Sequence, residues 1–361
     1  MRGGFLNRAE ELGMLERRWE AGEGQIFLLW GRRRVGKTEL LLEFGREKKT
    51  LFFEATSGTR ADHLGDFSER LAEVSGRGAG LVAADWRAAL DAVGDWAAAE
   101  GPVLMVLDEF QHIARESPEI GTEINVWWRE RGASLPLFAV LSGSEVGFFE
   151  REVVSYSAST YGRRAGQLRL EPFRPRDIGL FLPGWRVADR IRAYGVFGNM
   201  PYYLAHVRED ADLAENILDL ILMRDGLLHE EARLLLDAEL PDASAYFSVL
   251  RAIAAGQTRV SQIDSRTGIG DTSRVSQMLD RLQRRRAGQG GGSGGAPAPR
   301  RPPARLSLLA LGLRAIAARR GDRRPEAQPG RGRGGGWPPS TSTVEPAMSS
   351  CSPGMRTPAR Q

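Results

Sequence analysis

Eight consecutive residues, 31–38 (GRRRVGKT), restrict what this chain can be more than anything else in it. They match the pattern G-x-x-x-x-G-K-[ST] and lie between an apolar run, QIFLLW, and a helix-forming run, ELLLEFGRE. Such a loop requires a strand that delivers the backbone to a helix N-terminus. Gly31 and Gly36 then let the chain turn tightly, so that its N–H groups surround a phosphate. The candidate phosphate-binding residues are Gly31, Arg32, Arg33, Arg34, Val35, Gly36, Lys37, Thr38 and Glu39. Lys37 is expected to reach the β- and γ-phosphates and Thr38 to ligate Mg2+ through its hydroxyl. A glycine turn with a chance lysine would not call for the flanking strand and helix.

A phosphate loop predicts a second apolar strand that ends in an acid near the metal, and VLMVLDEF at 103–110 supplies it. Asp108 is the candidate Mg2+ ligand, directly or through water. Glu109 is placed to orient and activate the attacking water, because catalysis of phosphoryl transfer is mostly positioning and charge stabilisation. A third run, LPLFAVLSGS, ends in Ser142, Gly143 and Ser144, and Ser142 is a candidate for sensing the γ-phosphate. Ser-Gly-Ser is also common turn chemistry, so both readings stay open.

Around these motifs, β-rich apolar runs alternate with amphipathic stretches, the pattern of a parallel sheet covered by helices. Strands are predicted at 25–30, 50–55, 103–108, 135–142 and 167–170, with helices at 62–74, 85–99 and 119–131. From 175 to 240 the pattern is wholly helical. The expected organisation is an α/β core at 1–174, a helical lid at 175–242, a truncated winged-helix-like unit at 243–286 and a tail at 287–361. In the third unit, glycines 256, 268 and 270 separate three helical runs, as in a helix-turn-helix. Asp271 or Thr272 is expected to cap the last helix. There Arg274, Gln277, Arg281 and Arg284 share a face that could meet DNA or simply solvent, while Val275, Met278, Leu279 and Leu282 form the buried side.

The pI of about 9.5 suggests a nucleic-acid partner until the charge is located. Residues 284–361 hold 15 Arg against 3 acidic residues, a net of +12, so residues 1–283 carry −8 of the chain's total of +4. The body is acidic, and the global pI is no argument that it binds DNA. The tail has 14 Gly and 11 Pro in 78 residues, a composition expected to be disordered. Two readings of it are open. AGQGGGSG at 287–294 can be reread one base later as Leu-Val-(Lys/Arg)-x-x-Val-Pro-Val, a plausible wing strand, which makes the tail a frameshift product. Alternatively, the tail is a genuine basic segment that contacts nucleic acid nonspecifically. The single cysteine, Cys351, excludes an internal disulfide. The N-terminus has no apolar signal core, and the apolar runs at 26–30, 103–107 and 306–313 fall far short of the ~20 residues a membrane span needs. A cytoplasmic protein with no membrane partner is expected.

Taken in order, FLNRAEELGMLERRW, GRRRVGKTELL, VLMVLDEFQHI, LSGSEVGFFERE, YGRRAGQLRLEPF and GNMPYYL resemble the archaeal-type ATPase family within the AAA+/STAND group of P-loop NTPases. The resemblance implies an ASCE-type α/β core with the catalytic strand beside the phosphate-loop strand, a helical lid and a winged helix. Its implied ligands are ATP and Mg2+. It also implies that Phe5 and Arg8 lie near the adenine and that Arg163 or Arg164 is an arginine finger or sensor. A finger acting in trans needs a second copy, hence a homo-oligomer. Pro201 would belong to a lid contact of Gly-x-Pro type, although GNMP spaces Gly198 and Pro201 one residue wider. The function expected is ATP hydrolysis driving a conformational switch. Its alternatives are a nucleotide-regulated DNA-binding protein with slow hydrolysis and an inactive remnant of a longer ATPase.

Overall fold

The structure is a computed structural model that describes residues 6–76, 82–153, 164–240 and 242–287. Phe5, Arg163 and the segment 288–361, with both readings of the tail, lie outside the described residues.

Strands β1 (Gln25–Trp30), β2 (Lys49–Glu54), β3 (Val103–Asp108), β4 (Leu137–Gly143) and β5 (Arg164–Arg169) form one parallel sheet in the order β2-β3-β4-β1-β5. Helices α1 (Ala9–Trp19), α2 (Lys37–Gly45), α3 (Arg60–Ser75), α4 (Trp86–Glu100), α5 (Phe110–Glu116), α6 (Ile120–Glu130) and the single turn α7 (Val146–Phe148) complete this part. The central strands are buried on both faces, and their side chains sort with a period of two. Ile26, Leu28 and Trp30 of β1 join Val103, Met105 and Leu107 of β3 in a core with residues of α3, α4 and α6. Phe27 and Leu29 join Leu104 and Val106 in a second core with α1 and α2. Alternation of this kind, with both faces apolar, is why these strands read as continuous hydrophobic runs.

One expectation is corrected by the strand order. The strand beside β1 is β4, with Leu29 opposite Ser142, and β3 lies one place further out. The acids at the end of β3 therefore reach the phosphate loop across the end of β4. Strand β5 starts at Arg164, three residues before the predicted 167, because pairing with β1 recruits the polar residues ahead of the apolar ones.

From residue 175 onward no strand occurs among the described residues. The short helices α8 (Ile178–Phe181), α9 (Val187–Phe197), α10 (Pro201–Leu204) and α11 (Leu213–Ile217) share an apolar cluster that includes Ile178, Leu182, Phe197 and Leu204. Helix α12 (Glu231–Glu239) leads into α13 (Ala243–Ala254), α14 (Val260–Thr267) and α15 (Thr272–Ala287), which enclose a separate cluster containing Val275 and Met278. Asp271 caps α15: its Oδ1 accepts from the backbone N–H of Ser273 at 2.8 Å and of Arg274 at 3.1 Å. Among the described residues no helix is long and apolar enough to cross a membrane.

Candidate functional site

The phosphate loop begins where β1 ends. Gly31 donates its N–H to the Gly143 carbonyl at 3.2 Å, and a Cβ on Gly31 would collide with the backbone oxygen of Leu170. Only glycine fits between these two strands. The loop then turns through two left-handed residues, Arg34 (φ 66°) and Gly36 (φ 89°), on either side of Val35, which is wholly buried and anchors the turn. Lys37 opens α2 with 5% exposure, and its Nζ donates to the carbonyls of Gly31 at 3.2 Å and Arg32 at 3.5 Å. Burial pushes the Lys37 ammonium below the usual lysine range, against the opposing pull of Glu109 and Asp108.

Two side chains brought from different elements define the metal-binding candidate. The Thr38 hydroxyl, in the first turn of α2, donates to Asp108 Oδ2 at 2.8 Å, and Asp108, fully buried at the end of β3, also accepts at Oδ1 from the N–H of Glu109 at 3.0 Å. A hydroxyl and one carboxylate offer hard oxygens and little charge. This set fits Mg2+, which keeps several waters and shares phosphate oxygens rather than sitting in an all-protein cage. No group of three or more His, Cys, Asp or Glu that could hold a metal occurs among the described residues.

Glu109 is held by neighbours on other elements. Its Oε2 accepts from the Ser144 hydroxyl at 2.6 Å, from the Ser144 N–H at 3.3 Å and from the Gln111 amide, and its backbone is left-handed at φ 51°. Burial alone would raise its carboxyl, but the Lys37 ammonium and the hydrogen bonds from Ser144 and Gln111 outweigh it and hold the group below the usual glutamate range. Glu109 is therefore an ionised carboxylate with a fixed direction, as an acceptor of a water proton must be.

The remaining expected site residues are distributed differently. Ser142 is fully buried inside β4, and among the described residues its Oγ has no hydrogen-bond partner; the serine that touches Glu109 is Ser144. Arg8 clasps the loop from behind, donating to the carbonyls of Val35 at 3.1 Å and Glu171 at 2.8 Å while its guanidinium lies 4.4 Å from the Phe173 ring centre. Pro201 approaches the loop, 3.8 Å from where a Cβ on Gly36 would stand. Arg33 and Glu39 are exposed and Arg32 is half-buried, whereas Arg34 turns to Glu231. Arg164 stands opposite Ile26, near the start of β1, about 13 Å along the strand from the phosphate-loop end. The sheet register does not bring it to the site of its own chain.

Sequence reasoning missed Gln111 and Glu54. Glu54 ends β2 opposite Asp108, and burial, then Asp108, Glu109 and Glu39, raise its carboxyl above the usual range. An acid closing the apolar run KTLFFE was the available signal. On α15, Arg274 pairs with Asp242 at 2.7 Å and Arg281 donates to Tyr246 Oη at 3.4 Å, while Gln277 is exposed.

A parallel sheet with a phosphate loop at the end of one strand and an Asp-Glu pair two strands away defines a P-loop ATPase fold. The chain belongs to the family described as the ATPase domain predominantly from Archaea, which matches residues 5–207. It therefore carries an ATP-binding ATPase domain. An uncharacterised protein of Methanocaldococcus jannaschii is 24% identical over 269 residues, 73% of this chain; the chain spans only 57% of that relative's length. An uncharacterised ATP-binding protein of the same organism is 51% identical over 45 residues, 12% of this chain and 76% of that protein. Among solved structures, the Walker-type ATPase Paby2304 of Pyrococcus abyssi aligns with a TM-score of 0.59 at 19% identity, over 87% of this chain and 97% of that one. The ORC2 protein of Aeropyrum pernix, solved as ADPNP and ADP complexes, aligns at 0.55 and 16% identity, over 88% and 96% of the two chains. At these identities the likeness concerns the fold.

Proposed function

We propose that this protein binds ATP with Mg2+ at the 31–39 loop and hydrolyses it, and that hydrolysis switches the helical segment 175–242 relative to the core 1–174. The observation that carries the reading is the convergence of Lys37, the Thr38–Asp108 pair and the ionised, directed Glu109 at one end of the sheet. Lys37 exchanges its loop carbonyls for the β- and γ-phosphate oxygens, whose charge matches its own. The N-terminus of α2 and the loop N–H groups add donors for the same oxygens. Glu109 accepts a proton from the attacking water as a new P–O bond forms and the bond to the ADP oxygen breaks. Mg2+ at Thr38 and Asp108 would neutralise charge on the phosphates. Arg164 stays in this scheme only as a residue offered to a second copy, which makes the active form a homo-oligomer.

Steady-state ATP turnover measured with and without Mg2+ tests the proposal, with Lys37→Ala as the companion. Metal-dependent turnover in the wild type and loss of tight ATP binding in the variant are expected; wild-type affinity in Lys37→Ala would overturn the site. A second reading, a nucleotide-regulated DNA-binding protein, draws on the three-helix unit 243–286, which shares an apolar cluster with Leu236 and Leu240 of the preceding segment and exposes Gln277 on α15. A DNA titration in the same assay separates the two.

A further inference from the structure

Of the three consecutive arginines in the phosphate loop, the third does not lie along it. Arg34 holds a left-handed backbone, φ 66°, that residues with side chains keep only where their surroundings hold them. Buried Val35 and the Arg8 contact to its carbonyl hold the turn, and the side chain of Arg34 is engaged by the helical segment far along the chain. The Arg34 guanidinium lies 4.3 Å from the ring centre of Tyr202, and its Nη2 stands 2.8 Å from Glu231 Oε2 at the start of α12. The other oxygen of Glu231 accepts from the Tyr203 hydroxyl at 2.6 Å. The Glu231 side chain is only 8% exposed, so its charge is tolerable because both oxygens are engaged. Burial and the neighbouring Glu231 push the Tyr203 phenol up, and it stays a hydrogen-bond donor at any working pH. Pro201, which begins α10, approaches Gly36 from the same side.

We propose that Arg34 is a positioning residue: with Glu231 and Tyr203 it forms a strap that couples the phosphate loop to α10 and α12, so that nucleotide bound at the loop and the order of α12 are energetically linked. The coupling rests on the reading of the loop as an ATP site. Its physical basis is that the pair cannot be broken cheaply. If α12 moves away, a buried carboxylate loses its cation and the Arg34 guanidinium loses its anion. If bound phosphate fixes the turn, the guanidinium is presented to Glu231 in one place. Arg34 Nη1 is buried and has no hydrogen-bond acceptor among the described residues, so the guanidinium also has an unused donor close to the nucleotide loop. By reciprocity, whatever ATP contributes to the order of α12, an intact strap returns to ATP affinity.

The test is hydrogen exchange of the full chain with and without saturating ATP in the absence of Mg2+, together with calorimetric nucleotide binding. In the wild type, ATP is expected to slow exchange across 231–239 by about tenfold, within the usual range for coupled sites. Glu231→Gln, which keeps the shape and removes the charge, is expected to lose that protection and to bind ATP about tenfold more weakly. Arg34→Ala is expected to do the same, and the double variant to be no weaker than either single one. If neither variant folds, Tyr203→Phe, which removes one hydroxyl, is expected to reduce the protection. Bound ATP with no effect on α12 in the wild type overturns the strap and leaves the ATP site standing, as does full protection in a folded strap variant. No ATP binding by the wild type overturns the site and the strap with it.

Discussion

A glutamate held at φ 51° with a serine, an amide and an ammonium around its carboxylate has its direction set before any substrate arrives. Replacing Glu109 by Gln keeps the shape and removes the base. ATP binding should survive while turnover falls by roughly a hundredfold or more, the scale for losing a positioned base; single-turnover kinetics beside equilibrium binding measures both, and unchanged turnover would move the role elsewhere. Lys37 makes a pH prediction. Its charged form binds phosphate, and burial lowers its pKa, so metal-free ATP affinity should decline as pH rises through a point below the usual lysine range. A calorimetric series up to pH 10 that shows no decline would contradict this. Lys37, Thr38, Asp108 and Glu109 were legible in the sequence because each belongs to a short contiguous motif. Glu54 and the contact of Ser144 with Glu109 were not, because the order of strands β2, β3 and β4 creates them and no local pattern states that order, whereas Gln111, two residues from Glu109, belongs to no motif that marks it.

At the scale of elements, apolar runs flanked by polar residues identified β1 and β3 to the residue, since a strand buried on both faces admits polar or charged residues only at its ends, where Gln25 and Asp108 stand. Edge strand β5 carries Arg164, Gln167 and Arg169, and its start was misplaced for the opposite reason. Helix α5 escaped notice because its seven residues begin directly after Glu109, too short to show a period. Caps were more legible: Asp271 accepts from two N–H groups at the head of α15, as its place before the helical run suggested. Asp271→Ala should cost about 1 kcal/mol, and Asp271→Asn much less, because an amide oxygen can accept the same hydrogen bonds. Urea unfolding curves of the two variants measure the difference. Equal stabilities would mean that the cap contributes through charge alone or not at all.

Across the whole molecule, charge is divided between an acidic body, −8 over residues 1–283, and a stretch of +12 over 284–361. Two kinds of DNA binding could arise from such a chain, and salt tells them apart. Arginine contacts to phosphate release counterions, so binding carried by the +12 stretch falls steeply as salt rises and depends little on sequence. Base readout by α15 would survive removal of that stretch and prefer one site. All three side chains are exposed, but the structure weighs against the second kind, because Arg274 is paired with Asp242 and Arg281 leans on Tyr246. Reading bases would first require those contacts to be given up. A chain ending at Arg286 should therefore lose most of the DNA affinity that the full chain shows at low salt, measured by fluorescence anisotropy on duplexes of unrelated sequence. Tight, sequence-selective binding by the shortened chain at physiological salt would reverse the argument: α15 would then be a recognition helix, and the ATP site would serve to regulate it.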